Sequence, residues 1–193
     1  MQKIILASAS PRRQELLRQI GVLFEQQVAE IDEFPRDNES ADAYVLRLAL
    51  EKARAVHARL GDDGIPVLGA DTAVVVDGAI LGKPRDETHA ADMLRQLSGR
   101  EHRVLSAVAL VGQHETSRIS ESRVRFRALT DDEIATYWRS GEPLGKAGGY
   151  AVQGLGAVFI EQLYGSYSGV MGLPVFETAQ LLKEFGIELP GKQ

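Results

Sequence analysis

Five places in this chain carry charged or glycine-rich residues that the surrounding pattern does not favour. The first is "SASPRR", Ser8 to Arg13, which follows an apolar run and leads into a helical pattern. It sets Arg12 and Arg13 at a helix start, an end already positive from its free N–H groups and macrodipole. Arg13 lies three and four residues before Leu16 and Leu17, so it shares their apolar stripe, whereas Arg12 faces elsewhere. One such arginine reads as an apolar stem with its head in water. Two of them, with the hydroxyls of Ser8 and Ser10 beside them, fit at least as well an anion drawn to the helix N-terminus.

Lys52 is the second. Its helical neighbours Leu48, Ala49, Ala55 and Val56 form an apolar face, so it either snorkels at the stripe's edge or is aimed into a cleft. The third, Asp71, closes "PVLGAD", a strand too apolar for the surface. Ligands of open α/β sheets collect beyond the carboxyl ends of strands. A turn or N-cap aspartate is the competing reading, weakened because no helical pattern follows directly. The fourth is Lys83 in "ILGKP". This is no P-loop, because Gly78 to Gly82 is too short and Pro84 stands where a magnesium-holding hydroxyl belongs. A lone loop lysine is ordinarily just solvated. The fifth is "GKAGGYAVQGLG", Gly145 to Gly156, where Phe159 stands in place of the third glycine of a dinucleotide fingerprint. It reads as a flexible loop or as backbone that approaches a ligand closely.

Together these places supply the cations Arg12, Arg13, Lys52 and Lys83 and the carboxylates Asp32, Glu33 and Asp71. Brought together in space, they describe a site for a metal-bound polyphosphate. Cations hold phosphate oxygens, and carboxylates hold a hard cation such as Mg²⁺ that bridges to them.

The elements that must position these residues interleave strands and helices, which predicts an α/β class with a mixed sheet. A buried strand covers Ile4–Ala7. Ser10 is the expected N-cap and Pro11 the first helical residue, with Gly21 closing the helix. A loose second strand spans Phe24–Ala29, and Ser40 opens the longest helix, to about Leu60. After a loop at Gly61–Gly64, a strand runs from Pro66 to Ala70 and ends at Asp71. Ala73–Val76 and Ala79–Leu81 flank an Asp77-Gly78 hairpin turn. A helix covers Thr88–Leu97, two longer strands cover Val104–Val111 and Arg118–Arg127, and Thr130 to Glu133 is a capping box. A short strand at Val158–Glu161 and a final amphipathic helix at Pro174–Phe185 complete the pattern. The reading is one domain, residues 1–193.

Composition narrows the function. With 193 residues, 44% hydrophobic and 25% charged, the chain suits a soluble globular protein with a sizeable core. A net charge of −5 speaks against general nucleic-acid binding, so a polyanionic ligand needs a locally basic pocket. The absence of cysteine excludes disulfides, thiolate zinc and cysteine nucleophiles. The apolar run in "MQKIILAS" is too short for a signal peptide or a membrane span, so a cytoplasmic location is the default.

Several separated stretches in order carry a family resemblance: "LASASPRRQELL", "RLALEKA", "LGADT", "LGKPRD", "LSGREH", "KAGGYAVQGLG" and "GSYSGVMGLP". They cover nearly the whole chain, which resembles the Maf family of nucleoside triphosphate pyrophosphatases, sometimes labelled septum-formation proteins. The resemblance implies an elongated, two-lobed α/β fold with a central mixed sheet, similar to inosine-triphosphate pyrophosphatases. It implies hydrolysis of the α–β phosphoanhydride to monophosphate and pyrophosphate, with a divalent metal (Mg²⁺ or Mn²⁺) and a homodimer. "SPRR" with "VQGLG" looks like the dTTP/UTP-directed branch. The branch directed at 7-methyl-GTP usually has an aromatic residue where Arg12 stands and a glutamate where Gln153 stands. By motif, Asp71 matches the proton acceptor, and Arg12, Thr72 and Gln153 the specificity positions. Ser8, Arg13, Glu33, Lys52 and Lys83 match phosphate and metal positions.

In the mechanism these matches suggest, Glu33 and Asp71 hold the metal, and Asp71 deprotonates a water that attacks the α-phosphorus. Arg13, Lys52 and Lys83 neutralise the departing pyrophosphate. Gln153 can donate and accept hydrogen bonds, which suits the O4 and N3–H edge of uracil or thymine. CTP or modified pyrimidine triphosphates are further candidate substrates. A non-catalytic nucleotide-binding regulator of cell division is the alternative from another class.

Overall fold

The computed structural model describes residues 2–61 and 64–189, so Asp62 and Asp63 of the expected Gly61–Gly64 loop lie outside the described residues. In chain order the elements are β1 (Ile4–Leu6), α1 (Pro11–Gln19), β2 (Phe24–Gln26), α2 (Ala41–Leu60), β3 (Val67–Val76), β4 (Ala79–Leu81) and α3 (Glu87–Leu97). There follow β5 (Glu101–Val111), β6 (Glu115–Phe126), α4 (Asp131–Arg139), β7 (Ile160–Tyr164), α5 (Tyr167–Met171) and α6 (Val175–Glu184). Among the described residues the strands form one mixed seven-stranded sheet, ordered β2-β1-β3-β5-β6-β7, with β4 paired to β3. The α/β expectation holds.

Alternation along β3 decides what covers each face. Ala73 and Val75 pack with Ala41, Val45 and Ala49 of α2. On the opposite face, Leu68 and Ala70 join Leu16 and Leu17 of α1 and Leu181 and Leu182 of α6. Further along that face, Val74 and Val76 join Met93 and Leu94 of α3 and Ile134 and Tyr137 of α4. That face therefore carries two separate helical groups, the two lobes, with a cleft between them.

The structure corrects one expectation that matters for function. Asp71 does not end a strand; β3 runs unbroken through it to Val76. The reason is β5, which pairs with β3 continuously from Val67↔Val111 to Val75↔Arg103 and carries the ladder past the polar Asp71-Thr72 step. What does end is the partner on the other side. β1 pairs only as far as Leu6↔Leu68, and β4 begins at Val74↔Leu81. Asp71 and Thr72 thus lie where that edge of β3 has no partner strand among the described residues, just beyond the carboxyl end of β1.

Gly69 sets the distance of α2 from this edge. A Cβ there would lie 2.1 Å from the Ala49 carbonyl oxygen and 2.8 Å from the Ala53 nitrogen, so only glycine lets the helix lie this close.

The remaining differences are local. β7 starts at Ile160 because a 3₁₀ turn over Leu155–Phe159 takes up Val158. The short helix α5, capped by Ser166, was hidden by its glycines. Ser10 sits at the N-cap of α1, but its side chain makes no capping bond. The Asp77-Gly78 turn and the Thr130–Glu133 capping box form as expected, with φ of 50° and 80° in the turn.

His102 of β5 is buried edge-on against Phe126 and Tyr150, with Nε2 2.8 Å from the Tyr150 hydroxyl and Nδ1 without a partner among the described residues. Burial pushes it down from 6.5 to about 4. Between those values the unfolded chain holds a proton that the folded chain does not. This contribution is therefore complete above pH 6.5 and is lost as the pH falls toward 4. Between about pH 7 and about pH 4.5, urea denaturation should show wild type losing about 2 kcal/mol more than His102→Gln. Equal losses would refute the assignment.

Candidate active site

Lys52 is the hub of the cleft. The close approach at Gly69 brings this α2 residue over β3, and its ammonium lies 2.7 Å from Asp71 Oδ1 and 2.6 Å from Glu33 Oε1. Its side chain is 9% exposed, so it does not snorkel to water. Lys83 approaches the other Glu33 oxygen at 3.4 Å, from the exposed loop after β4. Burial opposes ionisation of Glu33, but the hydrogen bond and charge of Lys52, aided by Lys83, prevail and hold its carboxyl below the usual range.

Of the two adjacent acids, Glu33 is the one that lines the cleft. Asp32 accepts the Phe34 N–H at 2.9 Å and does not line the cleft. It caps its own turn. The loop is fastened to α2 by groups that the sequence did not single out. Tyr44 donates to the Glu33 carbonyl at 3.0 Å, and Arg47 donates to the Phe34 carbonyl at 3.2 Å. Arg47 also grips Glu39 through two nitrogens, which holds that carboxyl down to about 2.

On the other face of β3, the "SPRR" stretch meets the end of α5. Arg13 Nε donates to the Gly172 carbonyl at 2.8 Å and Nη1 to Ser8 Oγ at 3.0 Å. Arg12 does not turn away as its helical position suggested; Nε donates to the Met171 carbonyl at 3.1 Å, and both arginines line the cleft. The long side chains bring together what the helical wheel separates. Thr72 lies 3.0 Å from the Ser106 hydroxyl, which in turn donates to Gly169 at 2.5 Å. With no side chain capping α1, its first-turn N–H groups remain available to an anion.

The glycine-rich stretch forms the facing wall, and its glycines have an unexpected partner. A Cβ at Gly154 would lie 2.1 Å from a Glu142 carboxylate oxygen, and one at Gly156 would lie 2.7 Å from the Tyr137 hydroxyl. These glycines therefore admit an internal side chain and not a ligand. Gln153, between the two buried ends of this turn, is exposed and lines the cleft. Lys146, also missed from sequence, lines it too and donates to the Glu142 carbonyl at 2.5 Å. The lone lysine of "GKAGGY" gave no periodic signal.

The cleft encloses about 600 Å³, ordinary for a small-molecule site. Among the described residues, Arg12, Arg13, Lys52, Lys83 and Lys146 line it against only two carboxylates, Glu33 and Asp71. A chain of net charge −5 thus holds a basic pocket. Burial lowers Arg12, Arg13 and Lys146 from their ordinary values, and Arg12 adds to the effect on its two neighbours. An anion would relieve this crowding. Among the described residues no three acidic or histidine side chains gather into a metal centre. Two carboxylates converging on one cationic point nevertheless fit a hard divalent ion, which takes few protein ligands and completes its shell with waters and phosphates.

Fold and cleft together define an α/β protein with a basic, carboxylate-bearing site for a polyanion. Residues 3–185 match the family model described as "Maf-like protein". The chain is 56% identical over 189 residues to a dTTP/UTP pyrophosphatase of Alkalilimnicola ehrlichii, covering 96% of this chain and 94% of that one. It is 54% identical over 186 residues to a dTTP/UTP pyrophosphatase of Escherichia coli O157:H7, with the same two coverages. A HAM1 protein from Coxiella burnetii shares the fold, with a TM-score of 0.54, 16% identity and coverage of 95% of this chain and 100% of that one. This chain belongs to the Maf-like family. No helix among the described residues is long and apolar enough to cross a membrane.

Removing the hub tests the geometry. Lys52→Met leaves Glu33 and Asp71 facing each other, so the variant should lose about 3 kcal/mol at about pH 8. The deficit should shrink toward about pH 5, where one of two facing carboxylates takes up a proton. Chemical denaturation at both values decides it, and a deficit independent of pH would count against the triad.

Proposed function

We propose that this chain is a nucleoside triphosphate pyrophosphatase that hydrolyses dTTP and UTP to the monophosphate and pyrophosphate. The observation that carries the reading is the buried Lys52 ammonium joining Asp71 and Glu33 inside a cleft whose other charged lining side chains, among the described residues, are all cations. Relatives named for this activity match nearly the whole chain. Nothing among the described residues favours a non-catalytic regulator. The same reading carries a divalent cation, a homodimer and a cytoplasmic location.

Asp71 is the general base. Lys52 holds Oδ1, which leaves Oδ2 to accept a proton from a water. The water oxygen bonds to the α-phosphorus as the bond to the bridging oxygen breaks, and pyrophosphate departs with that oxygen. Arg13, Lys83 and the first-turn N–H groups of α1 stabilise the negative charge gathering there. Ser8 fixes Arg13. Glu33 and Asp71 would hold the divalent ion, which when bound supplies Lewis-acid polarisation of phosphate oxygens. Adjacent residues of a strand point to opposite faces. Asp71 and Thr72 therefore divide the work across the open edge of β3, with the base and Lys52 on the α2 side and, on the other, Arg13 for phosphate and Thr72, Arg12 and Gln153 for base reading.

Asp71→Asn should fold and release pyrophosphate from dTTP about 10²–10⁴-fold more slowly than wild type. An unchanged rate would remove Asp71 from the role of base. Gln153→Glu should lower kcat/KM for UTP by about tenfold or more, because the amide donor is lost. A wild-type rate that survives a chelator would count against the divalent ion.

A further inference from the structure

The Glu142 carboxylate bonds to none of the cleft cations, only its carbonyl meeting Lys146, yet it sits at the centre of the loop that presents Gln153. Its carboxylate accepts the Leu155 N–H at 2.8 Å, the Gly156 N–H at 2.9 Å and the Tyr137 hydroxyl at 2.6 Å. The Tyr137 oxygen in turn accepts the Ala151 N–H at 3.1 Å. The pair therefore grips the backbone on both sides of Gln153, at Ala151 before it and at Leu155 and Gly156 after it. Gly154 and Gly156 lie against this pair with no room for a side chain. Gln153 itself makes no side-chain hydrogen bond to another described residue, so its position is set by its backbone, which the Gly154 N–H closes onto the Ala151 carbonyl at 3.3 Å and the clamp grips on both sides. Hydrogen bonds to an ionised carboxylate are about twice as strong as neutral ones, which suits a clamp. Burial opposes ionisation of Glu142, but these donors outweigh it and keep the carboxyl below its usual range.

We infer that Glu142 and Tyr137 are positioning residues for base recognition: they hold the Ala151–Gly156 turn so that Gln153 faces the base of the nucleotide. The inference rests on the proposed function for its substrate and goes beyond it in assigning what sets selectivity. A Gln amide reads a base only when its backbone is placed to within fractions of an ångström, and a loosened loop lets it yield to other bases. The residues given to phosphate chemistry, Asp71, Lys52, Glu33, Arg13 and Lys83, bond to one another, to Ser8 and to Gly172, and not to this clamp.

The test is a double-mutant cycle with full-length protein. In Glu142→Gln, an amide N–H₂ can face the two backbone N–H groups, and Tyr137→Phe removes one hydroxyl and serves if the first variant misfolds. For either, KM for UTP should rise about tenfold with kcat nearly unchanged, and the preference for UTP over GTP should fall about tenfold. In a Gln153→Ala background the same substitution should leave the UTP-to-GTP ratio where Gln153→Ala alone has put it. Equal and additive effects in both backgrounds, or an unmoved ratio in a folded variant, would overturn the inference and leave Glu142 a fold-stabilising residue only. Should wild type release no pyrophosphate from any nucleotide, the proposed activity fails. The same cycle run on UTP and GTP binding by calorimetry still decides the positioning role.

Discussion

A lysine ammonium taken out of water must be compensated, and here that requirement organises the site. Lys52 lies between Asp71 and Glu33, drawn from β3 and from the loop before α2. Three separate parts of the chain are thereby tied to one point. Losing either carboxylate leaves Lys52 paired with the other, whereas losing Lys52 leaves two carboxylates facing each other, a costlier state than a neutral substitute at all three positions. The tie depends on Gly69, since α2 must lie close enough for Lys52 to reach across. It also depends on Tyr44 and Arg47, which keep the Glu33 loop on the helix.

The sheet supplies the opening. β5 supports β3 along its length, while on the other side β1 stops and β4 has not begun. An interrupted edge exposes two consecutive side chains, one on each face of the sheet. A single strand can therefore offer a carboxylate to one half of a ligand and a hydroxyl to the other. The two lobes that flank the gap come from different helical groups on the same face, so the cleft needs no cavity carved into the core.

Much of this was legible in the residues. Lys52 interrupts an apolar helical face, and Asp71 ends an apolar run; both are misplaced unless something draws them together. The boundary of β3 was not legible, because a polar pair looks like a strand end until the unbroken partner β5 is known. The choice between Asp32 and Glu33 was not legible either, since it turns on which carboxylate caps its own turn. Arg12 was misread because a helical wheel places Cβ atoms, and a guanidinium reaches well beyond them. The glycines of "VQGLG" gave a correct signal of close approach but not its cause. Periodicity says that a side chain is excluded and says nothing of whether a ligand or Glu142 is what excludes it.

The way cations are paired separates scaffold from site. On the surface, arginines meet carboxylates: Arg54 with Glu115, Arg103 with Glu121, Arg118 with Glu184, Arg125 with Glu161 and Arg127 with Glu133. In the cleft, Arg12, Arg13 and Lys146 meet main-chain carbonyls at Met171, Gly172 and Glu142. A carbonyl orients a cation without cancelling its charge, whereas a carboxylate does both. The cleft cations are therefore held in place with their charge unspent and partly stripped of water, a state that favours the arrival of an anion. Among the described residues carboxylates enter the cleft only at Lys52 and Lys83, which is where the proposed function puts the divalent ion and the general base. Under the proposed function the site thus uses two kinds of acceptor, carbonyl oxygens to hold Arg12, Arg13 and Lys146 for an anion and carboxylate oxygens at Lys52 and Lys83 where the chemistry is placed.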